Sequence, residues 1–474
     1  MSAAALSLLR DYQAQGIAWL CTQLQDHRAV LLADEMGLGK TLQALLAAAQ
    51  RDARRVLIVC PAGARRVWLN EIKRWLPSWA DRIVLVEPGY KLTDIKTCLD
   101  RQTFVLIVGY DEFSDRTSQL AHHLRARRFD LLICDEAHYL KNQSNRTQAL
   151  YGHRGSGRGV QSAAAKVILL SGTPTPNHAG ELWQHYRTFW PEAVKNTAGR
   201  SLSQIEFEDR FTRYRDTPFG RQMTGSKNQT ILRHALRDKI LRRRKDEVLT
   251  ELPPLILQDI PLAGPGQPAS WLSGLKPETR ALAAKLHYAA EHTSDDELLK
   301  TLRSPDTAVA TVRRELGLMK VQPTIRWVEE RLASANKILL FAWHHEVIDQ
   351  LARGLAEFAP AVITGKSTPN ARALAVQDFQ SNPGTRVFIG QILAAGTAIT
   401  LTAASEVAIV EPSWVPGENV QAIARAHRLG QRDTVLGSFL YLPGTLDERI
   451  MRVFRRKAAE ISELQGDTED ASAA

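Results

Sequence analysis

Two short segments carry the side chains best suited to chemistry. The first, Asp34–Thr41 (DEMGLGKT), places Gly37, Gly39, Lys40 and Thr41 between an apolar run and a helix-like pattern. Glycines let backbone amides approach phosphate oxygens closely, and a helix N-terminus favours negative charge. In such a loop the lysine reaches the β- and γ-phosphates of a nucleotide, and the threonine hydroxyl holds magnesium. This segment therefore predicts a site for a nucleoside triphosphate with Mg²⁺.

The second segment ends in two carboxylates. The apolar run Leu131–Cys134 leads directly into Asp135 and Glu136. Such a run is typical of a buried strand, and α/β sheets bind ligands at the carboxyl ends of their strands. Asp135 is expected to hold the magnesium ion, directly or through water, and Glu136 to polarise an attacking water. An Asp-Glu pair alone is usually a solvated turn, but with the Lys40 loop it predicts a nucleoside triphosphate hydrolase.

Both segments require a sheet to position them. Short runs of Val, Ile and Leu recur in both halves of the chain, separated by helix-like patterns such as Thr41–Arg51 and Val67–Trp75. Continuous apolar runs are typical of parallel strands that are buried on both faces. They predict an α/β fold with two parallel-sheet units in tandem. The runs are Val30–Ala33, Val56–Cys60, Ile83–Val86, Phe104–Val108, Leu131–Cys134 and Val167–Leu170, then Lys337–Ala342, Ala361–Thr364, Arg386–Ile389, Val407–Val410 and Val435–Tyr441.

Between the two sets of strands the pattern changes. The stretch Glu181–Val248 is basic and favours helices with few β-like runs, and Ala269–Arg331 also favours helices. Proline and glycine clusters separate the two stretches. We expect a first lobe at 1–180, a helical insert at 181–262, a second helical segment at 263–320, a second lobe at 321–464 and a flexible tail at 465–474.

Composition excludes several classes of protein. With 474 residues, 44% hydrophobic and 24% charged, the chain is not a disordered, collagenous or disulfide-scaffold sequence. A net charge of +10 favours a polyanionic partner. Cys60 and Cys134 lie in apolar runs and no CxxC pair occurs, which predicts reduced core cysteines and disfavours zinc. No apolar run approaches the ~20 residues of a membrane span. Without a signal-peptide pattern, we expect a cytoplasmic protein with no membrane partner.

The two segments resemble motifs of a known family. Asp34–Thr41, the run Asp135–His138 and the segment His427–Gln431 (HRLGQ) are similar to motifs of the Swi/Snf group of double-stranded DNA translocases, which are superfamily II helicase-type ATPases. Members of that family carry an aspartate at the position of Asp34. The resemblance covers nearly the whole chain and implies two tandem RecA-like lobes with helical insertions between them. Further matches are Leu9–Gln13, Val59–Ala62 with Trp68 and Glu71 in a DNA-facing motif, Ile107–Tyr110, Ser171–Pro174, Arg242–Pro254 and Ala395–Leu401. The run Trp414–Gly417 is similar to the HepA-related, annealing-helicase branch.

The resemblance also implies a role for each matching residue. Gln13 would contact adenine, and the ligand set would be ATP with Mg²⁺. Arg425 and Arg428 would be arginine fingers, and their spacing of three predicts a shared helix face; such arginines stabilise the charge that develops in phosphoryl transfer. Residues implied to couple hydrolysis to movement are His138, Ser171, Gly172, Thr173, Gly396 and Gln421. Residues expected to contact DNA are Arg65 and its neighbour Arg66, Lys141, Arg242 within the run to Lys245, Thr397 and Trp414.

The family resemblance implies an ATP-dependent motor that moves along double-stranded or forked DNA, in branch migration, strand annealing or protein displacement. One alternative is a strand-separating DNA or RNA helicase, which the Leu429–Gln431 ending disfavours. The other is a nucleic-acid-binding scaffold with an inactive motor, against which the intact Lys40, Asp135 and Glu136 argue. We expect a monomer of bacterial or phage type, associated with the nucleoid, whose targeting could come from separate protein partners.

Overall fold

The computed structural model divides the chain into two compact units, Met1–Thr250 and Glu251–Ala474. The structure describes residues 9–87, 89–115, 118–153, 157–172, 178–217, 220–249, 251–262, 275, 277–292, 307–395, 399–413 and 416–453. The division falls within the stretch 181–262 that the sequence predicts as a helical insert. The segment predicted as a tail lies outside the described residues.

The first unit contains a seven-stranded sheet in which all strands run parallel, in the order β11-β1-β8-β5-β2-β4-β3. The central strands are buried on both faces, as their unbroken apolar sequences require. The strands of this unit, with two small antiparallel pairs β6/β7 and β9/β10, are β1 (Ala29–Leu32), β2 (Arg55–Cys60), β3 (Ile83–Leu85), β4 (Phe104–Gly109), β5 (Phe129–Cys134), β6 (Gly152–His153), β7 (Gly157–Arg158), β8 (Ala164–Leu170), β9 (Thr212–Thr217), β10 (Gly220–Ser226) and β11 (Ile240–Leu241).

Helices connect these strands. Several begin with a side-chain cap: Ser144 accepts a hydrogen bond from the Thr147 amide, and Ser203 with Glu206 forms a capping box. The described helices of this unit are α1 (Asp11–Asp26), α2 (Lys40–Gln50), α3 (Arg65–Trp75), α4 (Leu92–Leu99), α5 (Gln119–Arg125), α6 (Asn145–Tyr151), α7 (Trp183–Phe189), α8 (Gln204–Phe211), α9 (Gln229–Leu236) and α10 (Lys245–Val248).

The stretch predicted as a helical insert is more varied than its sequence indicates. It contains the antiparallel pair β9/β10, and β11 pairs with β1 at the edge of the first sheet. The aromatic side chains of α7 and α8, including Trp183 and Phe207, belong to the same core as the first sheet. This stretch therefore completes the first unit, and it also begins the second.

The second unit is built on a six-stranded parallel sheet in the order β12-β17-β16-β13-β15-β14. The prediction of two parallel-sheet α/β units is confirmed. Its strands are β12 (Leu255–Pro261), β13 (Ile338–Ala342), β14 (Ala361–Ile363), β15 (Val387–Gln391), β16 (Glu406–Ile409) and β17 (Val435–Tyr441). Its described helices are α11 (Pro277–His292), α12 (Thr307–Leu332), α13 (His345–Gly354), α14 (Pro369–Ser381), α15 (Ile392–Ala395) and α16 (Pro416–Ile423).

The cysteines are free thiols, and Cys60 and Cys134 are fully buried in the first core, as predicted. Within the described ranges, no helix is both long enough and apolar enough to span a bilayer.

Candidate active site

The loop between β1 and α2 forms a cradle at the start of the helix. Gly37 and Gly39 have φ values of 92° and 78°, in the left-handed region that favours glycine. A Cβ atom on Gly39 would lie 2.6 Å from the Nε2 atom of Gln13, which contacts this loop from α1. Gln13 is 5% exposed, and its Nε2 atom donates to the carbonyl oxygen of Leu38 at 3.4 Å. The residues expected to bind ATP therefore meet at the N-terminus of α2.

Lys40 is the first residue of α2, and its side chain turns back over the loop. Its Nζ atom donates to the carbonyl oxygens of Asp34 at 2.7 Å and Glu35 at 3.4 Å. Burial lowers the pKa of this lysine, and the negative charge of Glu136 opposes that shift. A Cβ atom on Gly172 would lie 3.3 Å from Nζ, so the predicted coupling motif reaches the phosphate loop.

Asp135 and Glu136 follow β5, which lies between β2 and β8 near the middle of the sheet. The Oδ1 atom of Asp135 accepts a hydrogen bond from the Glu136 amide at 3.0 Å, and Oδ2 accepts one from the Trp68 indole at 2.8 Å. Burial, with the charge of Glu136, raises the pKa of Asp135 to about 6. Glu136 has a φ of 49°, a strained conformation of the kind found at functional sites. The carboxylates and the Lys40 loop thus lie at the carboxyl-terminal ends of strands in one parallel sheet.

A polar chain links Glu136 to the segment after β8. The Nδ1 atom of His138 lies 3.2 Å from Oε2 of Glu136 and 3.3 Å from the hydroxyl oxygen of Ser171. Ser171 is followed by Gly172, which lies beside Lys40. His138, Ser171 and Gly172 are therefore together, and Thr173 lies outside the described residues.

These residues suit a magnesium ion bound with a triphosphate. Mg²⁺ is held by oxygen ligands, usually one or two carboxylates together with phosphates and waters. Thr41 supplies a hydroxyl in the first turn of α2, and Asp135 supplies a partly buried carboxylate directly after β5. Glycine at position 39, directly before α2, suits the close approach of phosphates to the backbone amides of the loop.

A buried ion pair between Asp34 and Arg243 stabilises the phosphate loop. Asp34 is 0% exposed, so its charge requires partners. The Nε atom of Arg243 donates to its Oδ1 atom at 3.0 Å, Nη2 of Arg243 donates to Oδ2, and Nε2 of Gln43 donates to Oδ2 at 3.1 Å. This explains why an aspartate can stand where a generic phosphate loop has a glycine.

Arg243 also binds α1. Its Nη1 atom donates to the carbonyl oxygen of Tyr12, and Nη2 donates to Oε1 of Gln43 at 2.8 Å. A Cβ atom on Gly16 would lie 1.9 Å from that oxygen and 2.6 Å from Nη2, so only glycine fits between them. Sequence reasoning missed this role of Arg243. The available signal was an aspartate at the end of an apolar run, which needs a cationic partner.

In the second unit, Arg425 and Arg428 converge on one carbonyl group. Their Nη1 atoms donate to the carbonyl oxygen of Ile399, at 3.5 Å and 3.0 Å respectively. The prediction that they share a helix face is wrong, because α16 ends at Ile423 and both lie in the following turn.

Two contacts keep that turn from continuing as a helix. The backbone amide of Leu401 donates to the carbonyl oxygen of Arg425 at 3.0 Å, and the side-chain Nε2 atom of the buried Gln431 donates to the carbonyl oxygen of Ala404 at 2.8 Å. Gln421, another predicted coupling residue, lies on α16 and is half-buried. Gly396 lies outside the described residues.

Comparison with protein families decides the assignment. A model of the SNF2-related domain matches residues 12–263, and a model of the helicase conserved C-terminal domain matches residues 320–430. The chain belongs to the SNF2-related family. The Lys40 loop, the two carboxylates and Arg243 lie within the range matched by the SNF2-related domain. Arg425 and Arg428 lie within the range matched by the helicase C-terminal domain.

Several curated proteins are similar to this SNF2-related chain. The human "DNA annealing helicase and endonuclease ZRANB3" is 30% identical over 467 residues, covering 95% of this chain and 40% of that protein. The Xenopus tropicalis "SWI/SNF-related matrix-associated actin-dependent regulator of chromatin subfamily A-like protein 1" is 30% identical over 465 residues, covering 95% of this chain and 44% of that protein. The chain thus spans less than half the length of these relatives.

A solved structure, the "Sulfolobus solfataricus SWI2/SNF2 ATPase core in complex with dsDNA", aligns over 96% of this chain and 92% of that chain. The sequence identity is 22% and the TM-score is 0.42. The fold assignment of this SNF2-related chain rests on its own two sheets.

The residues expected to contact DNA are bonded within the protein where they are described. Arg65 is 8% exposed, and its Nη1 atom donates to the carbonyl oxygen of Val86 at 2.8 Å. Lys141 forms an ion pair with Glu181 at 2.6 Å. Nη1 of Arg242 donates to the carbonyl oxygen of Ala33 at 3.3 Å. Beside Arg65, Arg66 is exposed and pairs with an exposed glutamate. Thr397 and Trp414 lie outside the described residues.

Proposed function

We propose that this chain is an ATP-dependent motor that moves along double-stranded DNA. The observation that carries the proposal is the meeting of Lys40, Asp135 and Glu136 at one sheet edge in a chain of the SNF2-related family. The names of its relatives, which include annealing helicases, favour work such as strand annealing, branch migration or protein displacement. We propose that the chain acts as a monomer on double-stranded or forked DNA.

In the first unit, each residue has a defined task. Backbone amides around Gly39 and the Lys40 ammonium group bind the β- and γ-phosphates of ATP, and Gln13 contacts the adenine. Thr41 and Asp135 hold Mg²⁺, which when bound neutralises charge on the phosphates.

The carboxylate of Glu136 orients the attacking water and accepts its proton. One nitrogen of His138, Nδ1, lies near both that carboxylate and the Ser171 hydroxyl, so we propose that a change at Glu136 reaches the segment after β8 through His138.

Arg425 and Arg428 supply positive charge from the second unit. A guanidinium group at the γ-phosphate stabilises the transition state of phosphoryl transfer, and its loss lowers the rate by ~10³-fold or more. Binding of ATP, and release of ADP and phosphate after hydrolysis, would then switch the chain between two states. Gln421, Gly396 and Thr173 are proposed to take part in this coupling.

Contacts to DNA are proposed to be made with the phosphate backbone and to carry no sequence information. On the first unit the exposed cations of α3, which are Arg66, Lys73 and Arg74, are suited to this role. Lys141, Arg242, Thr397 and Trp414 remain candidates from the family pattern. We further propose that the protein is associated with DNA in the cell and that partner proteins supply targeting.

The proposal is tested by measuring the ATPase rate at fixed salt with no nucleic acid, single-stranded DNA, duplex DNA, forked DNA and RNA. We expect duplex or forked DNA to increase the ATPase rate strongly. The Lys40→Ala variant should show no such increase, and the Glu136→Gln variant should bind ATP without hydrolysing it. Stimulation by single strands or RNA alone would favour a strand-separating helicase. No hydrolysis with any nucleic acid would favour a scaffold with an inactive motor.

A further inference from the structure

Trp68 lies in the segment that resembles a DNA-facing motif, yet its side chain points into the protein. It is 0% exposed, on the buried face of α3 with Arg65 and Ile72. Tryptophan is rarely buried completely, and its indole N–H then needs an acceptor. Here the acceptor is the Oδ2 atom of Asp135, 67 residues away in sequence, at 2.8 Å.

The hydrogen bonds around Asp135 fix both its backbone and its carboxylate. The Asp135 amide donates to the carbonyl oxygen of Val59 at 2.8 Å, and the hydroxyl of Tyr110 donates to the Asp135 carbonyl oxygen at 2.8 Å. Of the two carboxylate oxygens, Oδ1 accepts the amide of Glu136 and Oδ2 accepts the Trp68 indole. In the described part of the chain, Trp68 is the one side chain that donates a hydrogen bond to this carboxylate.

We propose that Trp68 is a positioning residue of the nucleotide site, whose indole N–H sets the orientation in which Asp135 receives magnesium. The inference rests on the proposed ATP·Mg²⁺ site. A hydrogen bond from outside the ligand shell restricts the rotation of a metal-binding carboxylate, and removing such a partner typically lowers metal affinity 10- to 100-fold.

The position of Trp68 gives this bond a second consequence. α3 begins shortly after β2, and Asp135 follows β5, its neighbour in the sheet. The opposite face of α3 carries the exposed cations Arg66, Lys73 and Arg74. The indole therefore connects the magnesium carboxylate to a helix that is suited to phosphate contacts.

The test compares the full-length Trp68→Phe variant with wild type and with Trp79→Phe. Trp79 is also nearly buried, at 5% exposed, but its ring packs under Arg82 and does not contact Asp135. Binding of a fluorescent ATP analogue is titrated without DNA, once in EDTA and once over a range of Mg²⁺ concentrations. We expect Trp68→Phe to bind the Mg²⁺-free nucleotide as wild type does, but to need roughly 10- to 100-fold more Mg²⁺ for tight binding.

A second replacement removes the N–H group and keeps the ring shape. Benzothienylalanine at position 68 carries sulfur in place of the indole nitrogen, so it should show the same loss of Mg²⁺ affinity even if Trp68→Phe folds poorly. If the isostere requires no more Mg²⁺ than the wild type does, the inference about Trp68 is overturned and the proposed function stands. Absence of nucleotide binding in the wild-type chain would overturn the proposed function, and the inference with it.

Discussion

At the scale of single residues, burial sets the chemistry of the site. Lys40 and Asp135 are both partly buried, and this burial lowers the pKa of the lysine and raises the pKa of the aspartate. Charges in such an environment act more strongly on a phosphate than they would in water. The types and spacing of these residues were sufficient to predict that they lie together, and their roles stay predictions.

The partners of the buried charges could not be predicted in the same way. Asp34 pairs with Arg243, which is 209 residues distant in the chain, and Asp135 accepts a hydrogen bond from Trp68. Such pairs depend on which strands become neighbours, and a single sequence gives no direct signal of that. From the sequence alone, the run Arg242–Lys245 therefore indicates a DNA contact.

His185 provides a test of burial by pH. It is 1% exposed, the Tyr151 hydroxyl lies 2.9 Å from its Nδ1 atom, and burial lowers its pKa to about 3. Below the unfolded pKa of about 6.5 the unfolded chain binds a proton that the folded chain does not. The neutral His185 therefore contributes its whole stabilisation above about pH 6.5, and this contribution is lost as the pH falls towards about 3.

Between pH 7 and pH 5 the loss attributable to His185 should be about 2 kcal/mol. Urea unfolding at both pH values measures it. From pH 7 to pH 5, the free energy of unfolding should fall by about 2 kcal/mol more in the wild type than in His185→Gln. The control variant His234→Gln, changed at an exposed histidine, should behave as the wild type does. Equal losses in all three proteins would show that this imidazole is not buried as a neutral group.

At the scale of elements, buried apolar strands were predictable, whereas the exposed strand β12, the pair β9/β10 and short or bent elements were not. The eleven apolar runs correspond to strands of the two sheets within a few residues. In contrast, β11 has only two residues, too few to show a period, yet it extends the first sheet. The turn after α16 holds its shape through contacts of Leu401 and Gln431, which a helical spacing rule cannot foresee.

The connection between α1, the phosphate loop and the segment at β11 is tested by Arg243→Met. This side chain is 12% exposed and its partner Asp34 is 0% exposed, so the variant leaves a buried charge unpaired. Loss of one partner of a buried pair destabilises a protein by about 3–5 kcal/mol. We expect a decrease of this size in the free energy of unfolding, measured in urea.

The matched control is the neighbouring Arg244→Met. Arg244 is 36% exposed and pairs with Asp246, which is 63% exposed. Exposed pairs contribute about 0–1 kcal/mol. If the two variants were destabilised equally, the network around Asp34 would not support the loop.

At the scale of the whole molecule, the chain is an SNF2-related protein with two parallel-sheet units. The phosphate loop and carboxylates lie in the first unit, and the two candidate arginine fingers lie in the second. This separation suits a motor, because ATP hydrolysis that depends on both units can be coupled to a change between states. The basic surplus of +10 fits a partner with a phosphate backbone.

Movement along DNA is the central claim, and displacement of a bound third strand tests it most directly. A labelled triplex-forming oligonucleotide is annealed to one end of a linear duplex, and its release is followed after addition of protein and ATP. We predict release that needs ATP hydrolysis and is absent in Lys40→Ala, while the two duplex strands stay paired. Active ATP hydrolysis on the same duplex without release of the third strand would contradict the account.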